Sequence, residues 1–194
     1  LGRLIAFIMA RETGRQNLRV MDALSIEQGD RILDVGCGHG RSLTELASRA
    51  ATGRIVGVGP SELMGEIAAR RNCAHVEADR VSVVLASVES LPFPDDSFDK
   101  VLCVHVRYFW KDLDRCLRET ARVLKPGGCL GLSFRTNADL AAVASFPPEI
   151  YRFPALAEVA AALERADLDL AAASDSTNEP VLLLAEKRRV QVAK

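Results

Sequence analysis

The side chains best able to do chemistry cluster in Asp34-Val35-Gly36-Cys37-Gly38-His39-Gly40-Arg41-Ser42: a carboxylate, a thiol, an imidazole and three glycines spaced one residue apart. Glycines at that spacing let the backbone take positive φ and let a ligand approach peptide N–H groups with no Cβ in the way. A helix starting just beyond them adds partial positive charge, which favours an anionic group. Spacing weakens one alternative for such a turn, the dinucleotide site of an oxidoreductase, and removes another, the P-loop. A dinucleotide fingerprint, G-x-G-x-x-G, needs glycine where this chain has Arg41, and a phosphate-cradling loop needs a Gly-Lys-Ser/Thr triplet that the chain lacks. A second cluster is His105 with Tyr108, Phe109 and Trp110. Its imidazole titrates near neutral pH and suits a general base, and its rings suit the wall of an apolar or planar ligand site. His105 reads equally as a hydrogen-bonded histidine at a strand end, and the rings as anchors for the helix that follows. The five cysteines, Cys37, Cys73, Cys103, Cys116 and Cys129, lack paired metal-ligand spacing, so no metal is expected and they read as reduced, mostly buried thiols.

These groups need elements to hold them. The apolar run ending at Val35 reads as a buried strand, and Ser42 with Glu45 reads as a capping box opening a helix through Leu43, Leu46, Ala47 and Ala50. Upstream, Leu1, Leu4, Ile5, Ile8 and Met9 share one helical face, and a second short pattern through Leu18, Met21 and Leu24 follows Gly14. Residues 1–28 are therefore expected as an N-terminal helical extension covering the cleft. Downstream, strands are predicted at residues 54–58, 81–85, 100–106, 129–134, 168–173 and 181–186. A helix capped by Ser61 is predicted over residues 62–72 with Leu63, Met64, Ile67 and Ala68 inward. Another carries Leu113, Cys116, Leu117 and Leu124 and stops at Pro126-Gly127-Gly128. A third follows Pro154 and buries Leu156, Val159 and Leu163. Residues 136–152 read as a loop. This alternation predicts an α/β, doubly wound, mostly parallel sheet with helices on both faces.

At 194 residues and 48% apolar content, one domain spanning residues 1–194 is expected. A net charge of −1 gives no footprint for nucleic acid. No run is long enough to span a bilayer, and Arg3, Arg11 and Arg15 interrupt the N-terminal stretch. A soluble cytoplasmic protein is expected, and a homodimer is compatible with the composition.

Three motifs in order carry a resemblance: Ile32 to Gly40, Leu91-Pro92-Phe93 with Ser97-Phe98-Asp99, and Glu119 to Gly128. Together they resemble the class I S-adenosylmethionine-dependent methyltransferases of the type 11, ubiquinone/menaquinone-biosynthesis-like group. The resemblance implies a Rossmann-like seven-stranded sheet of order 3-2-1-4-5-7-6 with the last strand antiparallel. It implies S-adenosylmethionine as cofactor, S-adenosylhomocysteine as product, and in-line methyl transfer to a small-molecule acceptor. Position by position it puts Gly36, Cys37 and Gly38 against the methionyl end, with Gly40 completing the turn and Asp34 below holding the ammonium. Gly59 and Pro60 fall at the ribose, and Ser87, Val88 and Glu89 at the adenine. His105 falls near the methyl as a base, and Tyr108 in the acceptor pocket. The chain departs from the pattern twice: Gly59 stands where the family carries Asp or Glu, and Ser87 where it carries Asp. Ser61, Glu62 and Glu89 are the nearest replacements. The alternative reading is a degenerate methyltransferase-like binding or regulatory module with weak or lost cofactor binding.

Overall fold

The computed structural model describes residues 2–174 and 179–189, with side chains from Thr13 onward. Its elements are α1 (Gly2–Ala23), β1 (Arg31–Val35), α2 (Arg41–Arg49), β2 (Arg54–Gly59), α3 (Glu62–Arg71), α4 (Cys73–Glu77), β3 (Val81–Leu85) and β4 (Phe98–Val104). A 3-10 turn at Arg107–Phe109 leads to α5 (Leu113–Val123), β5 (Leu124–Phe134), α6 (Leu140–Ser145), α7 (Leu156–Arg165), β6 (Leu168–Ala173) and β7 (Val181–Lys187).

The strands form one seven-stranded sheet in the order β3-β2-β1-β4-β5-β7-β6. β1 pairs in parallel with β2 on one side and β4 on the other, and β7 runs antiparallel to both β5 and β6. The expected topology is therefore the observed one. Because the chain leaves β1 in one direction and later returns to its opposite side at β4, a crevice opens beyond the carboxyl ends of these strands.

Strand alternation sorts the core into two layers. Leu33, Val101, Cys103, Leu130 and Leu132 face α5 and α7, while Ile32, Leu102 and Val104 face α1, α2 and α3. Asp34 shares the second face with Ile32, two residues earlier, so the alternation itself drives its carboxylate under the helices. α1 seats on β5 at Gly131, where an added Cβ would stand 2.5 Å from Val20 Cγ1. Val20, Met21 and Leu24 are at most 2% exposed, and each contributes on the order of 1.5–3 kcal/mol of burial. The last turns of α1 are thus part of the core.

Several local expectations change. α1 is a single helix that continues through Gly14. The stripe of Leu1, Leu4, Ile5, Ile8 and Met9 lies outside the described side chains. Ser42 caps nothing: α2 starts at Gly40, whose left-handed φ of 75° ends the turn, and Ser42 sits inside the helix. Of the four residues expected inward on α3, Ala68 is buried, while Leu63 and Met64 face outward at 62% and 41% exposure. β5 begins at Leu124, and the Lys125–Gly128 stretch forms an irregularity between the β4 partners Phe98 and Lys100. The loop expected over residues 136–152 contains α6, capped by the Asp139 carboxylate accepting from Ala142 N–H. Among the cysteines, Cys73 is exposed.

Candidate active site

The glycine turn is shaped by close packing on three sides. A Cβ on Gly36 would stand 2.1 Å from Val106 Cγ1. One on Gly40 would meet Ala68 Cβ at 2.7 Å and Asn72 Nδ2 at 2.8 Å, so this position must be glycine for α2 and α3 to meet. Asn72 fixes that contact by donating to Gly40 O at 2.9 Å and accepting from Thr44 Oγ1 at 2.8 Å. In β2, the absence of a side chain at Gly57 makes room for Cys37 Sγ. Gly36 and Cys37 both donate their amides to Val58 O, at 2.7 and 3.2 Å, and Gly40 donates to Cys37 O. Among the described residues, the turn amides without a backbone partner are those of Gly38 and His39.

Two cavities meet along this turn, and a third lies apart from it beside His105. The first, about 630 Å³, opens beyond β1, β2 and β3. Its walls include Gly36, Cys37 and Gly38, then Gly59 and Pro60, then Ser87, Val88 and Glu89, so these expected site residues come together. Phe109 and Trp110 close its far side. Gly59 has an ordinary φ, and a Cβ there would find nothing within 4 Å. Ser61, Glu62, Glu66 and Glu89 are the other oxygen-bearing side chains of the wall besides Ser87.

The second cavity, about 220 Å³, lies on the other side of the turn, under α1. Asp34 lines it together with Gly36, Gly38, Arg41, Thr13 and Asn17. The Asp34 carboxylate is buried, and burial pushes its pKa up to about 7 even though Ser42 Oγ donates to it. Burial and the neighbouring Asp34 charge push the Cys37 thiol up to about 12, so it stays protonated and is no nucleophile at neutral pH. His39 is held below its usual range by partial burial and by Arg71 and Arg41 nearby.

The third cavity is only about 30 Å³, and it is where His105 and Tyr108 lie, with Phe146, Tyr151 and Phe153. His105 follows β4 with φ of 57°, a left-handed conformation that costs a non-glycine residue about 1 kcal/mol or more. Its Nδ1 lies 3.1 Å from Tyr108 Oη, which accepts from Arg135 N–H at 2.6 Å. Tyr108 packs at centroid distances of 5.1 Å to Phe153 and 5.9 Å to Tyr151, and Tyr151 packs at 4.8 Å to Phe146. His105 and Tyr108 therefore neighbour the large cavity without lining it, and Gly40 faces α3 rather than any of the three.

The connection carrying Ser87, Val88 and Glu89 is clamped from α5. Arg122 donates to Leu91 O at 3.0 Å and Phe93 O at 2.8 Å and pairs with Glu119 and Asp95, while Glu119 accepts from Leu91 N–H at 2.7 Å. Arg115 Nε donates to Glu89 O at 3.0 Å. Asp99 holds Lys125 Nζ at 2.6 Å and Arg31 N–H at 2.9 Å. The second and third sequence motifs are thus the framework under the site.

Sequence reasoning did not assign Thr13, Asn17, Met64, Arg41 or Phe153 to cavity walls. The exposed apolar Met64, which lines both the first and second cavities, breaks the inward stripe of α3. No such signal marks Thr13 or Asn17.

A model described as a methyltransferase domain matches residues 33–132. An uncharacterized methyltransferase of Bacillus subtilis, YdaC, is 34% identical over 125 residues, covering 64% of this chain and 67% of that protein. A demethylmenaquinone methyltransferase of Symbiobacterium thermophilum is 42% identical over 101 residues, covering 52% of this chain and 40% of that protein, so the chain spans less than half of it. The solved structure of a geranyl diphosphate methyltransferase in complex with SAM superposes with a TM-score of 0.78 over 96% of this chain and 89% of that one. At 18% identity, this is a likeness of fold.

Proposed function

The chain belongs to the methyltransferase domain family, and from that premise we propose that it transfers a methyl group from S-adenosylmethionine to a small-molecule acceptor by in-line displacement. The observation that carries the reading is the meeting of a large, mostly apolar cavity and an acid-floored one along a single glycine turn. Together they suit a nucleoside joined to a cationic amino-acid tail.

The group supplies an electrophilic methyl on a positively charged sulfur. The chain supplies position, which carries much of the rate in such a displacement. In this reading Asp34 holds the ammonium, and the turn lets the tail pass with no Cβ to block it. Gly59 and Pro60 face the ribose; Ser87, Val88 and Glu89 face the adenine. The Trp110 and Phe109 rings exclude water between the cavities and the acceptor. His105, oriented by Tyr108 Oη, takes the acceptor's proton, and Phe146, Tyr151 and Phe153 part to admit an apolar or planar acceptor. Demethylmenaquinone, named in the relative from Symbiobacterium, is an acceptor of that kind.

Calorimetric titration with S-adenosylhomocysteine, followed by methyl-label transfer to a panel of phenols and quinols, tests the reading. Micromolar binding and label on at least one acceptor are expected. Absence of heat at millimolar ligand refutes it. His105→Asn is expected to slow transfer about 100-fold with cofactor affinity unchanged.

A further inference from the structure

Arg107 opens the 3-10 turn after β4, and its guanidinium lies beneath that turn with the side chain only 6% exposed. For a cation so buried it is poorly held. Nη1 donates to Trp110 O at a long 3.4 Å, Nη2 stands 3.6 Å from the Glu158 carboxylate in the first turn of α7, and Nε has no partner among the described residues. Burial holds its pKa below the usual guanidinium range against the pull of Glu158, and the nearby Arg152 adds to that effect. Arg122, by contrast, makes its contacts to the β3–β4 connection at 3.0 Å or less. A buried charge with long contacts and an orphan donor costs stability that an apolar side chain of similar length would not. The contribution of Arg107 therefore lies in what it holds.

That object is the turn itself, which closes on Arg107 twice: Trp110 N–H donates to Arg107 O at 3.2 Å, and the guanidinium donates back to Trp110 O. The three side chains that the turn carries serve two different spaces. Phe109 and Trp110 wall the first cavity, while Tyr108 walls the third and lies 3.1 Å from His105 Nδ1. A displaced turn therefore moves both walls at once. Arg107 lines neither space, and Glu158 ties it to α7, on the far side from both. We infer that Arg107, braced by Glu158, is a positioning residue that fixes the Tyr108–Trp110 turn and so sets how the first cavity stands relative to His105. The inference rests on the methyltransferase reading above for its effect on rate, and the placement of Trp110 is tested without it.

Trp110 is the single tryptophan of the chain and is 5% exposed, so its emission reports on the turn directly. In unliganded protein Arg107→Met is expected to red-shift that emission and to raise its quenching by acrylamide, with the midpoint of urea unfolding unmoved or higher. Methyl transfer is expected to slow about 10- to 100-fold in kcat, as a small misplacement of reacting groups does, while the Kd for S-adenosylhomocysteine changes by less than about threefold. Arg107→Lys is expected to recover part of kcat, since it keeps the charge and gives up the planar fork. Glu158→Gln is the second probe: Glu158 is 55% exposed and lines neither cavity, so its loss leaves the core packed. It is expected to move emission and kcat the same way by less, and the double variant is expected to match Arg107→Met alone, because Glu158 acts only through Arg107. Unchanged emission in Arg107→Met overturns the inference whatever the urea midpoint does, since Arg107 then only fills space. So does full additivity of the two variants, or an emission shift with kcat unchanged. If wild-type protein labels no acceptor the proposed function fails, and emission, quenching and the double variant still uphold or overturn the placement of the turn.

Discussion

Gly59 is where one added side chain reports most about the site. It ends β2 against the large cavity with an ordinary φ and open space above it, so an aspartate there meets no steric objection. Family resemblance expects an acid at this position. Gly59→Asp is expected to tighten S-adenosylhomocysteine binding by about tenfold or more, as one charged hydrogen bond would, measured by calorimetry. Unchanged affinity would show that Glu62 or another wall residue already does this work. Asp34 makes a different prediction. The unfolded chain loses its proton near 3.8 and the folded protein near 7, so between those values the folded state holds a proton that the unfolded state has lost. The Asp34 contribution to stability therefore falls as pH rises from about 4 to about 7, then levels. Asp34→Asn is expected to gain on wild type across that window, reaching on the order of 1–3 kcal/mol above pH 7 in urea unfolding of ligand-free protein. A difference that does not vary with pH contradicts the buried-acid account. An ammonium bound beside Asp34 favours its ionised form, so cofactor affinity is expected to weaken below about pH 7.

At the scale of elements, the site is positioned by a clamp that touches no ligand. The β3–β4 connection runs over twelve residues and would wander without Arg122, whose guanidinium reaches Leu91 O, Phe93 O, Asp95 and Glu119 at once. Arg122→Met removes these charge-assisted bonds and strands two carbonyls and a partly buried glutamate. The expected loss is about 2–3 kcal/mol in chemical denaturation, with a weaker affinity for adenine-bearing ligands because the Ser87–Glu89 wall loses its support. Loss of stability with adenosine binding intact would separate the clamp from the site. This role was only half legible in the sequence. Glu119 to Gly128 stood out as a motif, but a motif shows recurrence, and apart from Glu119 the partners of Arg122 lie 27 to 31 residues upstream. The Ser42 reading went wrong for a related reason. Ser-x-x-Glu satisfies a local capping pattern, yet Asp34 on the neighbouring strand captures the hydroxyl, and Gly40 ends the turn without a side-chain cap.

For the whole molecule, cofactor binding and folding are linked, because the first cavity is walled by β1, β2, β3 and α3 and the second by α1, β1, α2 and α3, so the two exist only when these elements are in place together. Ligand at 100 times its Kd is expected to add about 2.7 kcal/mol, which raises Tm by roughly 5–10 °C for a chain of this length. A melt unmoved by S-adenosylhomocysteine, at a concentration where calorimetry reports saturation, would mean that the unfolded chain binds it equally. By itself the sequence determined the strand–turn–helix at Asp34 to Ser42, the succession of elements and, through resemblance, the order of the sheet. Apolar spacing and glycine placement encode these over a few residues, and the right-handed packing of such units restricts how they assemble. Only the tertiary structure decided which sides of those elements face the ligand spaces: Met64 outward, Ser42 toward Asp34, Arg41 across to α1, and His105 apart from the large cavity. Each depends on groups brought together from distant parts of the chain, and the contact that wins there is set by packing and burial rather than by neighbours in sequence.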